Sequence, residues 1–243
     1  MTAFKPGWKM TLFTLLFCPI LFQMGMWQLE REQQKLVLQQ RYDSRQTAAP
    51  LDFSDVDWQA DDLSFLNISA NGSFDNARSF LLDNRINNSR VGYEILTPFT
   101  TQSGETLLVN RGWLPQGRTR EDIPEIPSIN GQVSIAASIY VPLGEAFVLS
   151  GAPASDERWP QLIQSIDMDF LEAQLGLELM PYTVRLTQGS IGALTVDWPL
   201  INISPEKHRG YAVQWFAMLA ALILLYTYFG FKNPNSKKQA EEK

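Results

Sequence analysis

This sequence predicts two transmembrane α-helices flanking a mainly antiparallel β domain, a small barrel or sandwich with one or two short helices, placed outside the cytoplasm. Three observations carry that expectation. Twenty uncharged residues lie between Lys9 and Glu30 and twenty-two between Arg209 and Lys232, each run long enough to cross about 30 Å of hydrocarbon at ~1.5 Å per residue. Between the two runs, apolar residues recur mostly with period two, the signature of strands with one buried face. The charge is also divided: residues 1–9 carry +2, residues 232–243 carry +2, and the stretch from 30 to 209 holds 14 Lys and Arg against 24 Asp and Glu.

The first nine residues read as a cytoplasmic tail and 10–29 as the first transmembrane helix. A basic start and an apolar run also suit a cleaved signal, but Gln23-Met24-Gly25-Met26-Trp27 offers no small-x-small cleavage site. Leu15-Leu16-Phe17-Cys18 has Phe where a lipoprotein signal needs a small residue, so the segment reads as an uncleaved anchor. Pro19 is expected to kink it. Residues 30–62 read as a linker or juxtamembrane segment, in which 43–62, with Pro50 and five aspartates (Asp43, Asp52, Asp55, Asp57 and Asp61), suggest a linker or a loosely docked cover.

The β domain is then expected over 63–204, with strands at Leu63–Ala70, Ser79–Leu82, Gly92–Phe99, Thr106–Trp113, Gln132–Val141 and Pro181–Leu186, all rich in β-branched, aromatic and aliphatic residues. Gln102-Ser103-Gly104 and Asn87-Asn88-Ser89 supply hairpin turns. Gly117–Gly131, with Pro124 and Pro127, reads as a surface loop. A helix is expected near Asp167–Leu175, capped by Asp167, with Phe170, Leu171 and Leu175 on one face. Residues 205–231 form an interfacial segment and the second transmembrane helix, and 232–243 a second cytoplasmic tail. Short basic tails stay inside, while a long acidic loop is exported regardless of its charge. Both termini are therefore expected in the cytoplasm, with the central domain on the other side of the lipid bilayer.

Several function classes fall away on composition. One cysteine, Cys18, excludes an intrachain disulfide and a CxxC pair, and one histidine, His208, excludes a multi-histidine metal site. The acidic middle argues against nucleic acid. No P-loop, GxGxxG or HExxH pattern occurs. Ser150 and Ser190 lack a reachable general base if His208 lies at the membrane, so no enzyme is nominated. Met24 and Met26 alone make a weak Cu(I) site.

What remains unusual is the outer end of each helix. On the first, Gln28, Arg31 and Lys35 are spaced i, i+3, i+7, with Trp27 one turn before Arg31. On the second, His208, Tyr211 and Trp215 share a face at 100° per residue, with Gln214 on its flank. Two readings are open. Trp, Tyr, Arg and a boundary His form the ordinary interfacial belt. Alternatively, neutral His208 is an axial ligand for haem iron, Tyr211 and Trp215 line a slot for the ring, and Arg31, Lys35 and Arg209 reach the propionates.

Three blocks resemble the Surf1 (Shy1) family of cytochrome oxidase assembly factors: Gly25-Met26-Trp27-Gln28-Leu29-Glu30-Arg31 with Lys35, Leu108-Val109-Asn110-Arg111-Gly112-Trp113-Leu114-Pro115, and Pro205-Glu206-Lys207-His208-Arg209-Gly210-Tyr211-Ala212-Val213-Gln214-Trp215-Phe216. Leu82-Asp83-Asn84-Arg85 and Gly92-Tyr93 also fit, and the similarity runs in order over roughly residues 24 to 219. The resemblance implies a bacterial inner-membrane factor with a periplasmic domain that binds haem a transiently through His208, with Trp215 nearby, and aids its insertion into oxidase subunit I. A haem a synthase is then a further partner. The alternative role is a haem-independent chaperone or tether that stabilises subunit I. In the second block Gly112 is expected to permit a bulge and Trp113 to pack, with Arg111 either an ion-pair or a propionate partner. Two departures stand out: Arg209 occupies a position where an uncharged residue is commoner, and Ala70-Asn71-Gly72-Ser73-Phe74 matches the usual RGxF only in part. No arginine-rich presequence precedes the first helix, which favours a bacterial over a mitochondrial membrane.

Overall fold

The computed structural model describes residues 4–117, 122–141, 158–198 and 204–232. It divides into a unit of residues 1–40 and 199–243 and a unit of residues 41–198.

The first unit is a pair of antiparallel helices, α1 (Trp8–Gln46, its last turns belonging to the second unit) and α3 (Pro205–Lys232). Each is long and apolar enough to cross a membrane. Their contact follows alternating steps of three and four residues. On α1 the inward positions include Thr14, Gly25, Gln28 and Glu32, and on α3 they include Pro205, His208, Ala212 and Gly230. That is the three-four spacing of a helix-pair seam. Gly25 permits the closest approach. A Cβ there would meet the Phe216 ring at 2.6 Å, so the small residue lets the helices touch where van der Waals contact is the main attraction available in lipid. Near the other end, the Tyr226 and Thr11 hydroxyls bond at 3.1 Å and the Lys5 N–H donates to the Gly230 carbonyl.

The second unit is a barrel. Strands β2 (Asn67–Phe74), β6 (Val133–Tyr140), β8 (Thr183–Leu186), β5 (Thr106–Pro115) and β4 (Arg90–Thr101) pair in that order, and β4 returns to β2 through the Phe74–Phe99 end. The β5–β8 pair is parallel and the other four are antiparallel. This closed five-stranded connectivity is of the OB type. β3 (Phe80–Asn87) prolongs the hairpin with β4 beyond the barrel and takes β7 (Gln161–Ile163) on its free side. Strand alternation divides the apolar residues. Ile68, Ala70, Phe99, Leu107, Val109, Ile135, Ala137, Ile139, Val184 and Leu186 point inward. Phe80, Leu82, Leu96 and Leu108 point outward, where α2 (Met168–Leu175) covers them with Leu171 and Leu175. Each such fully buried aliphatic or aromatic side chain contributes about 1.5–3 kcal/mol.

The expected hairpins and helix are present. Asn88 and Ser89 turn β3 into β4 with φ of 47° and 62°, the twist that a tight hairpin requires. Asp167 caps α2 by accepting from the Phe170 N–H, and Gly176 closes it in the left-handed conformation. β2 begins at Asn67 rather than Leu63, because Leu63 and Phe65 plug the core from a loop. β1 (Leu51–Asp52) and β7 are too short for a periodic signal.

The segment 30–62 is not the linker it suggests. Residues 30–46 are strong helix formers and continue α1. The end of that helix is locked by Asn67, whose amide donates to the Arg45 carbonyl, while Arg45 donates to the carbonyls of Ser64 and Asp62. Among the aspartates that follow, Phe53 and Val56 are buried in the barrel core, and β1 pairs in parallel with β2. Their spacing outweighs the acidic composition.

The Asn-Arg-Gly-Trp block is structural. Gly112 has φ of 115°, and a Cβ there would meet the Thr195 carbonyl oxygen at 2.7 Å, so only glycine admits the bridge between Trp113 and Thr195. Arg111 is 1% exposed. It donates to the carbonyls of Gly192 (2.9 Å) and Pro127 (2.7 Å) and lies over the Phe74 ring. Burial brings its pKa down to about 10, so it stays charged at neutral pH and is held by dipoles and a π face rather than by an acid. Pro127 belongs to the expected surface loop, which is thereby tied to the core.

Candidate functional site

The Gln28–Glu32 stretch of α1 and the first turn of α3 bring polar groups together inside the helix pair. His208 and Gln28 are each 9% exposed, and the imidazole Nδ1 lies 2.8 Å from the Gln28 Oε1. A carbonyl oxygen only accepts, so in the neutral ring Nδ1 carries the proton and Nε2 keeps its lone pair. One turn further along α1, Glu32, 7% exposed, receives Arg209 through Nε at 2.7 Å and Nη2 at 2.6 Å. The amide and acidic partners sit on the seam three and seven residues beyond Gly25, where the two helices approach most closely. A buried carboxylate without its cation would be expensive, so Arg209 and Glu32 form one unit.

The remaining expected residues surround this centre unevenly. Tyr211 is half exposed and Trp215 is partly buried, one and two turns along α3 from His208. Arg31 is exposed, donates to Gln34 at 2.9 Å and lies over the Trp27 ring at 5.6 Å. Lys35 is partly buried on α1 and Gln214 is exposed. The structure thus joins His208 and Arg209 to α1 directly. Arg31, although it shares a nominal face with Gln28, is engaged along its own helix. Glu32 is the residue that sequence reasoning passed over; its signal was the three-four spacing Gly25, Gln28, Glu32.

A single imidazole with its Nδ1 tied by a side-chain carbonyl suits an axial haem ligand, because that bond orients the ring and raises the basicity of the free nitrogen. The neighbouring Tyr211 and Trp215 offer apolar surface, and Arg31 and Lys35 offer cationic donors within the same helix ends. The donor set therefore fits such a group.

A β-barrel unit on a chain with two helices long and apolar enough to cross a membrane, paired through His–Gln and Arg–Glu contacts, is consistent with a membrane protein. Comparison with known proteins makes the class specific. The model of the SURF1 family matches residues 15–220, and the chain belongs to that family, whose members are assembly factors. It is 25% identical to a SURF1-like protein of Rickettsia bellii over 90% of this chain and 89% of that protein. It is 23% identical to Surfeit locus protein 1 of Xenopus tropicalis over 87% and 73% of the two chains, and 26% identical to an uncharacterised SURF1-like protein of Mycobacterium bovis over 91% and 83%.

Proposed function

We propose that this chain is an inner-membrane assembly factor for haem-copper cytochrome c oxidase that holds haem a transiently through His208 and aids its insertion into subunit I, with a haem a synthase as the donor. What supports the reading is family membership together with one contact, the hydrogen bond from His208 Nδ1 to Gln28. In it both termini lie in the cytoplasm and the barrel lies in the periplasm, as the short basic tails favour.

Haem supplies the iron and the conjugated ring that are delivered. The rest is the chain's own work. Gln28 holds the imidazole in the tautomer whose Nε2 can ligate. Tyr211 and Trp215 exclude water from one side of the ring, and Arg31 and Lys35 attract carboxylates. Arg209 is drawn to Glu32 and keeps the two helix ends together. One protein ligand gives modest affinity, and a carrier that releases its cargo needs a fast off-rate.

The test is purification of the full chain from cells making haem a, with optical spectra of wild type, His208→Ala and Gln28→Leu. Loss of the haem spectrum in the first and a weakened, shifted spectrum in the second are expected; an undiminished spectrum in His208→Ala would sink the ligand role. The competing reading is a haem-independent tether for subunit I, favoured by the burial of His208 within the helix pair. It predicts that His208→Ala co-purifies with subunit I and supports full oxidase maturation.

A further inference from the structure

The outer face of the barrel carries a second polar array, beside the residues covered by α2. On β6 the inward residues are Ile135, Ala137 and Ile139, which leaves Tyr140 facing outward. Val184 and Leu186 point inward on β8, so Arg185 between them points out. Register places Arg185 opposite Asn110, and Glu94 opposite Leu82, which lies in the outer cluster. The bulge between Leu82 and Arg85 then returns Arg85 to the same face, opposite Gly92. One row thus crosses five strands with two guanidinium groups, one carboxylate, an amide and an aromatic ring.

The contacts along the row leave it incomplete. The Arg185 guanidinium is sandwiched, 3.6 Å from the Tyr140 ring and 4.7 Å from the Trp198 ring. Glu94 accepts from the Asn110 amide at 2.6 Å with one oxygen and faces the Arg85 Nε at 3.8 Å with the other, too far for a hydrogen bond. Among the described residues, the Nε atoms of both Arg85 and Arg185 are buried without a hydrogen-bond partner. A buried guanidinium N–H left unpaired is costly. Two arginines share one carboxylate, so one positive charge is uncompensated within the row. Desolvation lowers the Arg185 pKa and Glu94 opposes that fall, while Arg85 adds to it, so the two cations sense each other. The Arg85 side chain is 41% exposed, which leaves an approach from solvent.

The row is also where this connectivity receives ligands. In OB-type barrels the outer face of the second and third barrel strands is the binding surface. Those strands are β4 and β5 here, which carry Glu94 and Asn110.

We propose that Arg85 and Arg185, with Glu94 and Asn110 between them and Tyr140 and Trp198 around them, form a binding site for an oxyanion, a phosphate or carboxylate group of a small ligand or lipid headgroup. The anion balances the unmatched charge and meets the unused N–H donors, and the stacked rings hold Arg185 rigid so that little order is lost on binding. This site is independent of His208.

The full chain in phosphatidylcholine nanodiscs, titrated calorimetrically at constant ionic strength with inorganic phosphate, citrate and glycerophosphoglycerol, tests the proposal. Saturable binding of one anion per chain is expected for at least one of the three, and the preferred probe separates free phosphate, carboxylate and lipid headgroup as sources. Arg85→Gln should weaken it about tenfold or more, and Arg90→Gln, at the tip of the same hairpin but outside the row, should leave it unchanged. In the wild-type chain labelled at arginine, two Nε–H resonances should move on titration, a readout that needs no variant. No saturable binding, equal losses in both variants, or unmoved Nε–H resonances would each overturn the site and assign the two guanidiniums to water.

Discussion

Replacing Arg111 by alanine should destabilise the barrel by about 3–6 kcal/mol. The figure follows from what the side chain touches. It makes two hydrogen bonds to carbonyls, at 2.9 and 2.7 Å, each worth roughly 1.5–3 kcal/mol when the donor is charged. Its stacking over Phe74 adds about 0.5–2 kcal/mol, part of which overlaps with the loss of packing. The carbonyls of Gly192 and Pro127 would be left inside without donors. A typical domain has roughly 5–15 kcal/mol in hand, so the variant should be barely folded or unfolded at growth temperature. Arg111→Lys keeps the charge but cannot present two donors in one plane, and should cost about half as much. Arg41→Ala removes an exposed ion pair with Asp62 and should cost under about 1 kcal/mol. Urea unfolding of the full chain in detergent, followed by near-ultraviolet circular dichroism, reads all three. A stability loss below about 1 kcal/mol for Arg111→Ala would refute the structural role and return Arg111 to the propionate-partner role that the resemblance also allowed.

Other outcomes follow from single positions. Gly25→Val should lower the thermal stability of the helix pair in detergent, since its Cβ would meet Phe216 at 2.6 Å, and adding Phe216→Ala should restore part of the loss; failure of that rescue would remove the close-approach argument. Ser89→Gly, at φ of 62°, should raise the stability of the barrel by about 0.5–1 kcal/mol, checked by the same unfolding curve. Glu105 should titrate below the ordinary value of 4.5, because the Ser103 and Thr101 hydroxyls bond its carboxylate. Its contribution is then present above the unfolded pKa and lost as pH falls through the lower folded one. A carbon-13 titration giving Glu105 at or above 4.5 would contradict the turn geometry.

Much of the fold was legible because local rules and tertiary needs agree. The two uncharged runs could only be long apolar helices, Asn88-Ser89 and Ser103-Gly104 could only turn the chain back, and Asp167 with Leu171 and Leu175 bounded α2. Over 43–62 the structure favours the docked cover over the linker, a choice that aspartate composition could not make because the spacing of Phe53 and Val56 is put to use only by the closed barrel.

At the helix ends, local sequence determined which residues stand on a nominal face, through the 3.6-residue period, and so nominated His208, Tyr211, Trp215, Arg31 and Lys35. It did not determine their partners, because a hydrogen bond such as His208 to Gln28 spans 180 residues and depends on how two helices are set against each other by Gly25 and Phe216. The same holds for the row from Tyr140 to Arg85, which exists only because five strands pair with bulges at Leu82/Arg85 and Glu94/Leu96. Periodicity is a property of neighbours along the chain, and hence readable from it. Juxtaposition is a property of packing, where small residues and bulges distant in sequence decide which groups meet.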